Sequence, residues 1–345
     1  MVSRGKPFMS PQDSAKYAFD GLYAGGPSWI SNSAASDGTI PDSWVSLNVG
    51  QGPTKLLLLW HSAEDPDYTV TPDINFGVPT DYVIDVSADG TTWSTVVTVD
   101  SSTNAGTTYL DRGHSFDFTG MSWVRMTLTK AAVPKPAIAR IAEIDVFDVS
   151  RGEQDTWLYA GGGPTRFAYN GQSPPSFADN VHAKHPAYYP AMIDIADAQW
   201  SVQYMLSSLD SWLTLNSDFH FWVLNYGLFE ANNDGTPGTF AADMQTAITK
   251  LTKAGKNVIV PHLSFVSTTG YANIDQFNAA IDQLVSDNKL LPAPDFYTYF
   301  EAHPDQLCAA GMAGCETWTG IEPTSDGYAA MNLLWSQTED GLYQP

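Results

Sequence analysis

The stretch Leu158–Asn170, LYAGGGPTRFAYN, leaves a short apolar run and ends in polar loop residues. Its three glycines, Gly161, Gly162 and Gly163, stand where a strand hands over to a helix. In enzymes that junction presents a nucleophile or a phosphate cradle. Here no Ser or Cys occupies it and no Lys follows. Hydroxyls and imidazoles do occur downstream: Ser173 and Ser176 in a Pro-containing loop, His182 and His185 in NVHAKHP, and His262 after a strand at Pro261. A rebuilt Ser–His pair would need a geometry that their spacing does not supply, so they read as polar loop residues. His182-x-x-His185 has the spacing of metal ligands, but Pro186 ends any helix there, and no metal or cofactor is expected. Cys308 and Cys315, in CAAGMAGC, suit a local disulfide and therefore an oxidising, secreted or extracellular setting. The chain opens Met-Val-Ser-Arg with no leader visible in it, so that setting presumes a leader trimmed from this chain.

The elements that must position such residues fall into two halves. The length, 345 residues, suits two domains. Residues 1–150 read as all-β: TKLLLLW, DYVIDVS, STVVTVD, SWVRMTLT and IARIAEIDVFDV are short β-branched and aromatic runs. Asp89-Gly90 and Arg112-Gly113 read as turns between them. Such spacing predicts an antiparallel β-sandwich. Residues 151–345 change period. TWLYAG, FHFWVLNYG and KNVIVPHLSF are apolar strands, and FAADMQTAITKLTKAG between them is a helix stopped at Gly255. That alternation predicts a three-layer α/β domain with a parallel sheet, which binds ligands at the carboxyl ends of its strands. A net charge of -22 argues against nucleic acid or an anionic membrane as partner, and no apolar run reaches the length of a span.

The first half resembles the discoidin or galactose-binding β-sandwich family, a jelly-roll. AFDGLYAGGPSWIS, SWVSLNVG, DYVIDVSADGTTWSTVVTV, SWVRMTL and AEIDVFDV carry the likeness over residues 10–148, and the DYVIDVSADGTTW run is its most specific part. The resemblance implies loops that bind sugars or lipid headgroups. A sugar wants an aromatic face and fixed polar groups. Candidates are Trp29, Trp44, Tyr68 and His61 with Asp65 and Asp67; Trp44 and Trp93 read as packing, whereas Trp29, in a Gly/Pro/Ser loop, is the sugar-binding candidate.

The second half resembles the SGNH (GDSL-type) hydrolases in four ordered blocks: YAGGGPTR, IDIADAQW, LNYGLFEAN and TGIEPTSDGYAAMNLLW. A β-sandwich in front of such a domain resembles carbohydrate-esterase-like proteins. The resemblance also shows where this chain departs. The nucleophilic Ser falls on Gly163 and the preceding Asp on Gly162. The oxyanion Gly falls on Ala196 or Ala198, with Gln199 beside it, and the oxyanion Asn on Phe229. The triad Asp falls on Thr319 and the His on Glu322. Serine-ester chemistry needs a hydroxyl, a base and oxyanion donors, so it is expected to be absent. The changes concentrate in one pocket rather than scatter, as if the pocket had been remade by selection or by engineering. Asp197, Glu230 and Glu322 would converge there beside Phe229, with Gly162 and Gly163 adding space.

Three readings follow. The first is a non-catalytic protein that binds a glycan or small-molecule ligand. The second is an enzyme with Glu322 or Glu230 as general base and Gln199 as donor. The third is an SGNH carbohydrate esterase or deacetylase with a replacement group.

Overall fold

The computed structural model describes residues 1–21, 23, 27–62, 79–100, 112–131, 138–152, 155–165, 175–196, 201–233, 235–267, 273–309, 312 and 320–343. The chain divides into two compact units: Met1–Gln154 with Thr214–Asp218, and Asp155–Leu213 with Phe219–Pro345.

The first unit holds two antiparallel sheets. One orders its strands β1 (Phe8–Met9), β3 (Thr39–Asn48), β8 (Trp123–Ala131), β5 (Pro79–Ser87), β6 (Ser94–Val99). The other runs β2 (Trp29–Ile30), β9 (Arg140–Asp148), β4 (Lys55–Ser62), β7 (Arg112–Asp117). Alternation in the sequence is what builds the core between them. Val124, Met126 and Leu128 of β8 and Tyr82, Ile84 and Val86 of β5 meet Leu56, Leu58 and Trp60 of β4 and Ile144 and Val146 of β9 in one buried cluster. The Trp60 and Tyr82 rings touch edge to face at 5.7 Å. The Asp89-Gly90 turn forms: Gly90 takes a φ of 76°, and Asp89 Oδ1 accepts the N–H groups of Thr91 and Thr92. Arg112-Gly113 is not a turn. Both residues open β7, with Gly113 opposite Leu59 and Arg112 opposite Trp60, because pairing to β4 outweighs the weak strand preference of glycine.

The second unit carries a parallel sheet in the order β11 (Ala191–Asp194), β10 (Thr156–Gly161), β12 (Phe221–Asn225), β13 (Asn257–Ile259). β10 is buried throughout, and so are the first four residues of β12, as expected of strands covered on both faces. Its helices are α1 (Phe177–Lys184), α2 (Val202–Leu215), α3 (Leu228–Asn232), α4 (Pro237–Lys253), α5 (Ile274–Asn288), α6 (Phe296–Ala302) and α7 (Ser325–Tyr343). Local sequence sets their ends. Thr236 caps α4 by accepting the Thr239 N–H, Pro237 fills its first position, and Gly255 follows its end at a φ of 78°. No helix among the described residues is long and apolar enough to cross a membrane.

Candidate functional site

The parallel sheet brings the carboxyl ends of β10, β12 and β13 to one edge, where the glycine-rich stretch ends. Gly161 pairs with Asn225 across β10 and β12, and the Gly162 N–H donates to the Asn225 carbonyl at 3.2 Å. The two glycines differ in kind. A Cβ on Gly161 would stand 2.5 Å from the Asn225 carbonyl oxygen, so close strand approach demands glycine there. Among the described residues, a Cβ on Gly162 would meet nothing within 4 Å. Gly163 is buried and begins a helical turn with Pro164 and Thr165.

From β12 the chain turns through Gly227 into α3; its φ of 127° is one that side chains disfavour, and a Cβ there would stand 2.9 Å from Leu263. α3 carries Phe229 and Glu230. Phe229 is exposed, at 37%. Glu230 is tied down: its Oε1 accepts the Val202 N–H at 2.7 Å, capping α2 across from α3. Burial raises its carboxyl above the usual range, against the lowering effect of that hydrogen bond.

Glu322 lies on a different support. Residues 306–308 and 320–324 form a two-stranded clip of main-chain hydrogen bonds. Cys308 N–H donates to the Glu322 carbonyl (2.8 Å), Gly320 N–H to Cys308 (2.6 Å) and Thr324 N–H to Gln306 (2.8 Å). Leu307 and Pro323 face each other as an antiparallel bridge within it. The clip is joined to the loop beyond β13 by the Ser267 N–H, which donates to the Gly320 carbonyl at 2.9 Å. Cys308 is disulfide-bonded; Cys315, the only other cysteine of the chain, lies outside the described residues. The half-buried Glu322 carboxyl is pushed up to about 7 by desolvation alone.

Gly162 and the helix carrying Phe229 and Glu230 thus follow the carboxyl ends of β10 and β12, and Glu322 is tied to the loop beyond β13 through Ser267. Asp197, Gln199 and Thr319 lie outside the described residues. Two groups at this edge escaped the reading of motifs. Asn225 Nδ2 donates to Thr165 Oγ1 at 2.8 Å, directly beside Gly161 and Gly162. The signal was present in FWVLN, where Asn225 is the only polar residue of the strand.

Other candidates have structural partners. Ser176 is the N-cap of α1, where it and Asp179 form a reciprocal capping box. His182 and His185 point to separate partners, the Tyr188 carbonyl at 2.8 Å and Asp340 Oδ1 at 2.9 Å. Among the described residues no group of three or more His, Cys, Asp and Glu is arranged to hold a metal ion. Ser173 is outside the described residues.

In the first unit Trp29 is 0% exposed and part of the core. It starts β2, pairing with Ile141, so hydrophobic burial has taken the ring face that a sugar would need. His61 is also fully buried, packed edge-on against Tyr23 with Nε2 3.6 Å from Asp145 Oδ2. Beside it burial, with the Asp145 charge, raises the Glu143 carboxyl far above its ordinary range, while the Gly21 N–H donates to its Oε2 at 3.0 Å. Trp44 is half-buried, and Trp93 lies beneath the Arg125 guanidinium at 4.3 Å. Asp65, Asp67 and Tyr68 lie outside the described residues.

No protein-family model matches the chain, and neither does any curated protein. Solved structures similar to its C-terminal part include three hydrolases. A putative acylhydrolase from Bacteroides fragilis is 16% identical, over 55% of this chain and 88% of that one, with a TM-score of 0.42. A lipase/acylhydrolase from Enterococcus faecalis is 16% identical, over 55% and 97%, with a TM-score of 0.44. An acetyl xylan esterase from Geobacillus stearothermophilus is 10% identical, over 53% and 94%, with a TM-score of 0.44.

Proposed function

We propose that the second unit is an SGNH-type scaffold without the serine-esterase triad, and that its cleft binds a glycan or small ligand. The observation that carries this reading is that a side chain on Gly162 would meet no described atom within 4 Å, beside a Gly163 that has no hydroxyl to offer. Phe229 stands exposed on α3, the kind of apolar face that stacks on a sugar ring or a flat molecule. Acyl transfer needs a nucleophile and a base acting as a unit. On the four-block resemblance, Gly163, Thr319, Glu322 and Phe229 replace that unit.

The test is paired. Hydrolysis of a chromogenic acetyl ester should not exceed background, and Gly163→Ser alone should change nothing. Gly163→Ser with Glu322→His, Thr319→Asp and Phe229→Asn should recover turnover. Binding to a glycan array by the unmodified protein is the positive arm. Labelling of the unmodified protein by a serine-reactive inhibitor would overturn the reading.

A second reading, a carboxylate-base enzyme, is favoured by one observation and narrowed by another. Glu322 holds its proton up to about 7 with desolvation as the cause, which suits a general base near neutral pH. Glu230 is held more tightly: its Oε1 accepts the Val202 N–H, which leaves the buried Oε2 as the oxygen that could take a proton. This reading expects Glu322→Gln to abolish proton abstraction from an acidic C–H probe and Glu230→Gln to spare most of it. The third reading, a carbohydrate esterase, needs a hydroxyl that Ser176 does not provide, since it caps α1. For the first unit we infer a galactose-binding-like jelly-roll whose sugar contacts, where present, do not involve Trp29, and a secreted setting consistent with the Cys308 disulfide.

A further inference from the structure

His262 lies in the loop after β13, on the side of the second unit where α5 and α6 pack. Its two ring nitrogens are both spent on carboxylates. Nε2 is 2.8 Å from Asp282 Oδ1 on α5, and Nδ1 is 3.2 Å from Asp295 Oδ1, the N-cap of α6. An ionised carboxylate only accepts hydrogen bonds, and a neutral imidazole has a single N–H. Both bonds can exist together only when the ring is the imidazolium with two donors. The geometry therefore contains a proton.

We propose that His262 is a proton-operated latch that, when charged, clips the loop beyond β13 to α5 and α6 at once, and that when neutral gives up its bond to the α6 cap and loosens the loop against that helix. Deprotonation sends the ring proton to water and leaves one lone pair facing a carboxylate. The shorter bond, Nε2–H to Asp282, is retained, and the Nδ1 lone pair then faces Asp295. Asp295 still caps α6 through the Thr298 N–H (3.0 Å), so the helix persists while its polar tie to the loop is lost and the edge-to-face contact of Phe265 with Tyr297, at 5.7 Å, remains. The loop itself stays on α5, because Asn278 accepts the Leu263 N–H at 2.8 Å and donates to its carbonyl at 3.3 Å. The moving joint is thus between the loop and α6.

The surrounding charges favour the closed form. From α5, Asp275 and Asp282 line the hollow beside His262; from α6, Asp295 and Tyr297 do. Tyr297 hydrogen-bonds Asp275, which with burial and the Glu301 charge pushes its phenol up to about 12, so it stays neutral while the histidine titrates. Burial opposes the charged imidazole, but the hydrogen bonds and charges of Asp282 and Asp295 outweigh it and raise the histidine above its ordinary value. A raised histidine stabilises fully below the unfolded value of about 6.5, and the contribution is lost as pH rises through the folded value. The same loop runs on to Ser267, which holds the Glu322 clip, so the latch sits in the support of the candidate site. It stands whether or not that site binds anything.

The experiment is nitrogen-detected NMR of the histidine ring in the full chain, with amide exchange of residues 260–267 and 296–300 corrected for intrinsic rates. At about pH 6 both ring nitrogens of His262 should be protonated, with a midpoint above about 6.5 and an Nε2–H neutral form. Protection of residues 296–300 should fall severalfold across that midpoint. Asp282→Asn should lower the midpoint by about half a unit or more and lose the step in protection. A midpoint at or below about 6.5 overturns the latch, and so does protection that does not change across the titration. The titration of the unmodified protein decides the matter even where the variant does not fold.

Discussion

Glu322→Gln should make the protein relatively more stable as pH rises. The Glu322 carboxyl goes from an ordinary 4.5 to about 7 in the folded protein, with desolvation as its cause. Between those values the folded chain binds a proton that the unfolded chain has released, so stability falls as pH rises through the window. Below 4.5 the term is absent, and above about 7 the penalty is complete. At about 1.4 kcal/mol per pH unit, the span corresponds to at most about 3.5 kcal/mol. The side chain is only half-buried, and water screening at its exposed part reduces this to about 1–2 kcal/mol. Glutamine keeps the size and cannot ionise. The assay is denaturant unfolding of both proteins by tryptophan fluorescence at about pH 5 and about pH 8. Any constant offset from burying an amide cancels between the two conditions. The difference, variant minus parent, should grow by about 1–2 kcal/mol from the acid to the alkaline condition. A difference that stays flat would show that Glu322 ionises in the folded protein as it does in water, and the desolvation argument would fail.

Substituting Gly227 by Ala should destabilise by more than about 1 kcal/mol, because the positive φ and the Leu263 contact both resist a Cβ. Gly162→Ala should be near neutral, and thermal melts compare the two. Glu230→Ala removes the acceptor for the Val202 N–H and should cost about 1 kcal/mol in the same melts. Phe229→Ala should leave stability unchanged within about 0.5 kcal/mol, since the ring is exposed, yet weaken a ligand found on a glycan array by about 1–3 kcal/mol in calorimetry.

The strands were legible where burial imposes a period. LLLLW, DYVIDVS and SWVRMTLT fall on β4, β5 and β8, and TWLYAG is β10. The helix before Gly255 was legible from its apolar face and its stop. β7 was not, because RGHSFD has little apolar content and owes its strand to pairing with β4. Trp29 was misplaced for a related reason: a loop-like composition around it hid a two-residue strand pairing with β9. At the candidate site the sequence could mark which residues differ from a family pattern. It could not tell Glu230 from Glu322, since the hydrogen bond to Val202 that separates their chemistry joins positions 28 residues apart. Nor could it find the two hydrogen bonds of His262, whose partners lie 20 and 33 residues downstream.

The clip that carries Glu322 bears on how freely the residue at that position can vary. Its fastening is main chain to main chain, from Cys308, Gly320 and Thr324, and none of those bonds reads the identity of residue 322. The sheet ends elsewhere, so the side chain at that position is a passenger on a frame that other residues maintain. A substitution there leaves each of those main-chain bonds its donor and its acceptor. The frame is therefore separable from the side chain that it presents, and a change at position 322 is felt in the burial of that side chain rather than in the fastening of the clip.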